Sequence, residues 1–448
     1  MAKKVAVIGA GSSGAEIAYS LYKKFGKDVF IDVYERNAYA GGRTHAIEFA
    51  GQSVEVGGTV VHSSNLYVLE LMDFAGVKED LGAEILGQDS GEFWFWDGKQ
   101  VYLRAKNSTI SFAVNLIRKF GPFSSWFFRS HALKSVGDWK WVYKLLDEET
   151  FTDSHELVKA LRLQEVTSES LAKVHRKKRI NPKLTAGFCG AITQNMYLQD
   201  ENLNAFAGEV GLAGAGLVGG HLFAVEGGNG NLFTKVLDKL AEHGVAKVNY
   251  STAVTKVTPN SVTLSVPNAD GNTKVAGYDA VLVAVPFELS GITAETATGE
   301  PIDIPLRDYK EVHVTLVVGD LKLAYFGQSA DTQKVPPDCI FVKANQGLPY
   351  KSIGLVAKTS DGKNVYKLFS DEPLAEQVID DIFTNVTDKI EWHWQGAYPV
   401  LTPTDNWQKV QLTDGLYYVN GFESAAASIE TNMVAARNAT NLAGEVLG

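Results

Sequence analysis

The sequence predicts a two-domain α/β fold, in which a parallel-sheet domain is interleaved with a mixed α+β domain. Three observations predict it. A glycine turn lies between an apolar strand and a helix start at residues 5–14. Two glycine pairs, Gly41-Gly42 and Gly57-Gly58, follow closely. A strand that runs into a glycine turn and an acid, Gly415 to Glu423, sits near the far end of the chain.

Residues 5–14 read Val-Ala-Val-Ile-Gly-Ala-Gly-Ser-Ser-Gly, a G-x-G-x-x-G pattern at Gly9, Gly11 and Gly14 that encloses Ser12 and Ser13. Gly9 permits the tight turn, Gly11 lets the backbone approach a pyrophosphate, and Gly14 lets the helix pack close to the strand. The helix start offers free N–H groups and a partial positive charge to phosphates. Glu35 closes the next apolar run, 30–34, where a carboxylate accepts hydrogen bonds from a ribose diol; Arg36 follows it. A glycine fingerprint alone is weak. This one follows a strand, precedes a helix-compatible run at 15–24 and has its acid in place, so it marks a dinucleotide site in a Rossmann-like domain. It leaves open which dinucleotide.

The next stretch separates NAD from FAD. An NAD domain would continue into another β-α unit. This chain instead gives Gly41-Gly42-Arg43-Thr44 and Glu55-Val56-Gly57-Gly58-Thr59, flanking a short alternating strand at 46–56. Adjacent glycines admit a flat or charged ligand, and Arg43 can neutralise a pyrophosphate oxygen. Here the chain resembles the FAD-binding half of the flavin amine oxidase superfamily, whose second motif is a Gly-Gly-Arg after the ribose acid. The resemblance implies that Gly42 and Arg43 lie near the pyrophosphate and Gly57, Gly58 and Thr59 near the flavin.

Later segments fit the same pattern. Glu226-Gly227-Gly228-Asn229-Gly230 precedes a helix-like run at 232–243 and two short strands at 245–257. In the second of these, Val254 is where the superfamily places a valine whose backbone meets the adenine. The apolar run at 279–286 ends on Pro286 and reads as a strand buried on both faces. The closing unit implies that Glu423 binds the ribityl chain, with a helix at about 428–445 facing the pyrophosphate. The alternative for Glu423 is a plain N-terminal helix charge favoured by the dipole.

Composition bounds the class. With 448 residues, two domains are expected. A net charge of −10 argues against nucleic acid as a partner. Cys189 and Cys339, the only cysteines, stand far apart and make no disulfide framework. No spacing of His or Cys suggests a metal. No apolar run is long enough to span a membrane. The run after Met1-Ala2-Lys3-Lys4 is the fingerprint strand and too short for a signal peptide, so a cytoplasmic location is expected. No cysteine lies near the closing motif, so non-covalent FAD is expected.

The FAD-binding domain is assigned to 1–75, 205–290 and 395–448, and the substrate domain to 76–204 and 291–394. Residues 108–146 are rich in apolar side chains, among them Ile110, Phe112, Phe123, Trp126, Phe127, Phe128, Trp139 and Trp141, with Arg118, Lys119, Arg129, Lys134 and Lys140 interleaved. Three readings compete: helices packed as core, a tunnel for a long hydrocarbon substrate, and peripheral contact with a membrane surface. The basic run 176–179 reads as a solvated helix face, with a lipid-surface role as the alternative.

Several segments resemble one family more closely, the prenylcysteine oxidases (prenylcysteine lyases). They are 30–35, 203–208 with 212–215, 224–229, Tyr417 to Ser428, and Ala435-Ala436-Arg437-Asn438. The resemblance implies an amine-oxidase-like two-domain flavoprotein, an FAD-dependent oxidase of prenyl thioethers. A hydride leaves the allylic carbon next to sulfur for flavin N5, water adds, and the products are cysteine, a prenyl aldehyde and hydrogen peroxide from molecular oxygen. The hard step belongs to the cofactor, so no nucleophile or metal is needed. His62, Tyr197 and Glu226 match family positions. His62 could orient water or the amino-acid end of the substrate, and each of the three also has a purely structural reading. The glycine run 214–220 departs from the family pattern. Competing functions are an amine oxidase or desaturase, for which Tyr398 and the Trp392/Trp394 pair are the aromatic candidates, and an idle FAD-binding protein.

Overall fold

A computed structural model describes residues 2–80, 92–106, 109–213, 221–266, 271, 273–329 and 335–448, with the side chains of 106, 109–113 and 136 left out. The glycine run 214–220 and the side chains of Ile110 and Phe112 lie outside the described residues.

Alternation in the first strand, Lys3–Ile8, sets the layers. Successive side chains of a strand face opposite sides. Val5 and Val7 pack into the large core beneath the helices, whereas Ala6 and Ile8 pack into a second cluster with Val254, Val257, Val262 and Leu264. Both faces are therefore covered, which is why the run is apolar throughout. The strand lies inside a six-stranded sheet in the order Ala246–Asn249, Val29–Tyr34, Lys3–Ile8, Ala280–Val283, Leu416–Tyr418, Gln411–Thr413. The first five are parallel and the last is antiparallel. Helix Ser12–Phe25 packs against Asn229–Glu242 and the C-terminal helix Ile429–Leu447. The other face carries a four-stranded sheet that includes Val254–Thr258 and Ser261–Leu264.

The chain leaves Lys3–Ile8 for Val29–Tyr34 on one side and later returns as Ala280–Val283 on the other. This reversal opens a crevice at the carboxyl ends of the strands, the general ligand position in such sheets. A seven-stranded sheet faces it, in the order Phe383–Pro399, Tyr309–Leu321, Asn364–Ser370, Ser352–Lys358, Cys339–Val342, Glu92–Trp96, Val101–Lys106. Neighbours are antiparallel except Cys339–Val342 beside Glu92–Trp96. The boundary expected between 394 and 395 falls inside the single strand Phe383–Pro399.

The stretch expected as one strand at 46–56 is a hairpin, Ala46–Phe49 paired with Gln52–Glu55. Its turn residues Ala50 and Gly51 both have positive φ, 51° and 74°. That is the two-residue turn matching strand twist, but Ala-Gly is a weaker signal for it than Asn-Gly. No helix among the described residues is long and apolar enough to cross a membrane.

Helix Leu66–Ala75 starts on a buried carboxylate. Glu430 accepts from the amides of Tyr67 (2.9 Å) and Val68 (3.1 Å) and from the Tyr143 hydroxyl (2.8 Å). Burial pushes its carboxyl up to about 7, against the pull of those donors. The folded chain therefore holds a proton between about pH 4.5 and 7 that the unfolded chain releases. This contribution is fully present below the unfolded value and is lost as pH rises through the folded one. Glu430→Gln, which mimics the protonated form, is expected to flatten that part of the stability profile, on the order of 3 kcal/mol. Unfolding midpoints taken across that pH window check it; parallel wild-type and variant profiles would count against it.

Candidate active site

The crevice is a cleft of about 920 Å³ between the parallel sheet and the seven-stranded sheet. Gly9, Gly11, Ser12 and Ser13 line it, as do Glu35 and Arg36. Gly42, Arg43, Gly57, Gly58, Val254 and Glu423 line it as well. Gly14 and Thr59 do not line the cleft. Gly14 is packed so tightly that a Cβ there would lie 1.9 Å from the Gly9 carbonyl oxygen. Thr59 donates its hydroxyl to the Gly57 carbonyl at 3.0 Å.

The glycines divide by cause. At Gly9, φ is +103° and a Cβ would lie 2.5 Å from Val285. At Gly57 a Cβ would lie 2.0 Å from the Arg43 carbonyl oxygen. These positions are forced by packing. Gly11 is not: its φ is −81°, and a Cβ would meet only Gly41 and Gly42 atoms at 3.7 Å or more. Its open side is the cleft, a cradle of the kind a pyrophosphate fills.

Two helix starts meet there, and they differ. Helix Ile429–Leu447 caps itself through Ser428 and Thr431. Helix Ser12–Phe25 begins at Gly11 with no side-chain cap. Its first amides are left for an anion, as a phosphate site requires. Glu35 accepts from the amides of Ala10 (2.9 Å) and Asn37 (2.8 Å), one on each carboxylate oxygen. Each oxygen keeps lone-pair capacity for a diol. These residues fit an adenine dinucleotide.

Arg43 and Glu423, expected on different parts of the cofactor, form an ion pair with each other. Arg43 also donates to the Ala397 carbonyl at 3.0 Å. Glu423 is buried and accepts from the Tyr309 hydroxyl (2.7 Å), Asn420 (3.3 Å) and Asn432 (3.4 Å). Burial pushes its carboxyl up, but Arg43 and Arg307 outweigh this and hold it below the ordinary range. Arg307 in turn pairs with Glu288 at 2.7 Å and donates to Tyr418 at 3.1 Å. Arg307, Tyr309 and Glu288 carry no motif and escaped the sequence reading.

The part of the lining that the seven-stranded sheet contributes is largely aromatic. Phe369, Trp392, Trp394 and Tyr398 belong to it with Val312, from three neighbouring strands of the seven-stranded sheet. Trp394 is fixed by its indole N–H, which donates to the Val56 carbonyl at 2.8 Å. Tyr398 rests edge-on against Tyr197, centroids 5.5 Å apart. Tyr197 is wholly buried and does not line the cleft. His62 is also buried, its Nδ1 accepting from the Ser64 amide at 3.0 Å, and it does not line the cleft either. Glu226 is exposed outside it. In its motif the buried Asn229 makes the connection, donating to the Gly58 carbonyl at 2.7 Å and so bracing the second glycine pair.

Lys367 carries no motif either. It is buried on Asn364–Ser370 and donates to the Glu55 carbonyl (2.9 Å) and the Thr59 hydroxyl (3.0 Å). Burial lowers its ammonium to about 8, with Glu55 pulling the other way. A lysine at an inward position among Val365, Tyr366 and Leu368 was the available signal.

Comparison with known proteins places this architecture. The prenylcysteine lyase family model matches residues 107–447, and an NAD(P)-binding Rossmann-like domain model matches 7–75. The chain belongs to the prenylcysteine lyase family. Prenylcysteine oxidase 1 of Homo sapiens is 29% identical, covering 98% of this chain and 88% of the relative. Farnesylcysteine lyase of Arabidopsis thaliana is 25% identical over 98% of this chain and 87% of its own length. Among solved structures, a putrescine oxidase triple mutant redesigned in cofactor binding superposes with a TM-score of 0.62 at 15% identity, covering 99% of this chain and 98% of that one. A fatty acid isomerase from P. acnes gives 0.60 at 14% identity, covering 97% of each. The fold is that of a two-domain flavoprotein, and the family member described here is an FAD-dependent oxidoreductase.

The structure also gathers three groups that sequence spacing could not. Glu311, His313 and His393 have ligand-type atoms within 4.8 Å of one another. The two imidazoles are stacked at 4.2 Å with planes 7° apart, and His393 Nε2 sits 2.9 Å from Glu311. Ring lone pairs lie in the ring planes, so two stacked, nearly parallel rings cannot both aim a lone pair at one ion.

Proposed function

We propose that this chain oxidises prenylated cysteine at the allylic carbon next to sulfur. One observation carries the reading. One cleft is lined both by the residues of a cofactor cradle and by aromatic side chains of the seven-stranded sheet. The names of the relatives, a prenylcysteine oxidase and a farnesylcysteine lyase, support it. FAD, when bound, supplies the hydride acceptor. The net change is thioether plus water and oxygen to cysteine, prenyl aldehyde and hydrogen peroxide.

The residues of the chain then have a limited task. Gly11, the uncapped helix start and Glu35 hold the cofactor. Trp392, Trp394, Phe369 and Tyr398 offer aromatic surface that binds an apolar chain by area and dispersion. Trp394 and Tyr398 are held in place by Val56 and Tyr197, which fixes the wall before substrate arrives. The amine oxidase alternative asks for two rings that face each other across an ammonium. Trp392 and Trp394 are instead 5.6 Å apart and tilted at 61°, edge toward face.

The test is anaerobic addition of farnesylcysteine and geranylgeranylcysteine to the flavin-loaded protein, with a panel of amines beside them. Bleaching of the flavin band by the thioethers and not by the amines is expected. A flavin that stays oxidised with both thioethers sinks the substrate assignment.

A further inference from the structure

The segment 109–148 folds into three helices, Thr109–Phe120, Pro122–Trp139 and Trp141–Glu148. One side of them is core, with Leu116, Phe120, Phe128 and Val142 buried. The other side is apolar too, and uncovered. Val114, Ile117, Phe123, Trp126, Leu133 and Trp141 are all exposed, Phe123 at 79% and Trp126 at 64%. Every exposed large aromatic among the described residues lies here. Phe123, Trp126 and Leu133 fall on one helical stripe, at spacings that share a face.

Charge distinguishes the partner. Residues 109–148 carry Arg118, Lys119, Arg129, Lys134, Lys140 and Lys144 against Asp138, Asp147 and Glu148, a basic excess in a chain whose net charge is −10; Lys134 and Lys144 are paired with Asp138 and Glu148. Arg118, Arg129 and Lys140 are exposed and make no ion pair among the described residues. A second copy meeting this face through a two-fold axis would set like charges against each other. Exposed Trp and Phe interleaved with Lys and Arg suit the headgroup boundary of an anionic bilayer.

We infer that the helices at 109–148 dock the protein onto an anionic membrane surface, with Phe123 and Trp126 entering the acyl boundary and the basic side chains meeting lipid headgroups. The inference does not depend on the proposed substrate, because vesicle binding requires no turnover. Where that reading also holds, docking brings the cleft to the phase in which prenyl chains dissolve.

Flavin-loaded protein is sedimented with phosphatidylcholine vesicles, with and without about 30 mol % phosphatidylserine. Wild type is expected to bind the anionic vesicles, and about tenfold more weakly the neutral ones. The double variant Phe123→Ser/Trp126→Ser is expected to lose about tenfold or more in binding. Arg118→Glu/Arg129→Glu should lose the preference for anionic lipid, and Val386→Ser, exposed elsewhere, should bind as wild type does. Flavin content and circular dichroism confirm that each variant is folded. Wild type left in the supernatant with both vesicles overturns the proposal, as does equal binding by the Phe123/Trp126 variant. A wild-type dimer that becomes monomeric in that variant, without vesicle binding by either, would assign the face to a second copy instead.

Discussion

Glu423→Ala is expected to strip the protein of flavin and to lower its unfolding free energy by about 3–5 kcal/mol, the cost of breaking a buried ion pair from one side. Glu423 is 1% exposed and holds four donors: Arg43, Tyr309, Asn420 and Asn432. Truncation leaves the Arg43 guanidinium without its carboxylate at the wall of the cofactor cleft. Arg307 keeps Glu288, so the loss concentrates on Arg43 and Tyr309. Glu423→Gln separates charge from shape, because the amide keeps the hydrogen-bond acceptor and loses the anion. The sign with pH follows from the depressed carboxyl. Its stabilisation is present above the unfolded value near 4.5 and is lost as pH falls through the lower folded value. Denaturant midpoints and flavin absorbance read both effects. A Gln variant as stable as wild type, with the same acid limb, would show that the charge is not used. In the double variant Arg43→Met/Glu423→Gln, the loss should be smaller than the sum of the single losses, since neither charge is left unpaired.

The legibility of this site divides along a physical line. Gly9, Gly14 and Gly57 were readable because backbone packing permits no other residue there, so the constraint appears directly as a letter. Glu35 was readable because its partners, Ala10 and Asn37, are local or in the adjoining turn. The strands at 279–286 and 415–419 were readable from apolar runs alone. Tyr309 and Lys367 are not, since Glu423 and Glu55, their partners, lie 114 and 312 residues away, and Arg307 is not, since neither its pairing with Glu288 nor its bond to Tyr418 follows a spacing rule. Glu226, named through the family resemblance, is exposed and does not line the cleft, whereas Asn229 of the same motif makes the buried contact with Gly58. For the aromatic stretch at 108–146 the sequence alone admits core, tunnel and surface. The helices divide it, burying Leu116, Phe120 and Phe128 and exposing Phe123 and Trp126. Periodicity shows that a helix has two apolar stripes; only packing shows which one is covered.

Gly11→Val is expected to yield a folded protein without flavin. The backbone at Gly11, φ −81° and ψ −167°, is open to any residue. No protein atom stands closer than 3.7 Å to an added Cβ, so the first carbon of the new side chain makes only ordinary van der Waals contact. What it fills is the mouth of the uncapped helix Ser12–Phe25, where the first amides await an anion. A branched side chain there holds a diphosphate off those amides. The expected loss in FAD affinity is on the order of 100-fold, or about 2.7 kcal/mol. The ratio of flavin to protein absorbance after purification, followed by titration of the apoprotein with FAD, measures it. Gly14→Ala is the matched contrast. Its Cβ would fall 1.9 Å from the Gly9 carbonyl, so that variant is expected to fail in folding rather than in binding. The two glycines belong to one fingerprint, yet one is kept for the chain and the other for the ligand. Gly11→Val retaining a full complement of FAD would mean that the pyrophosphate does not lie against this helix start.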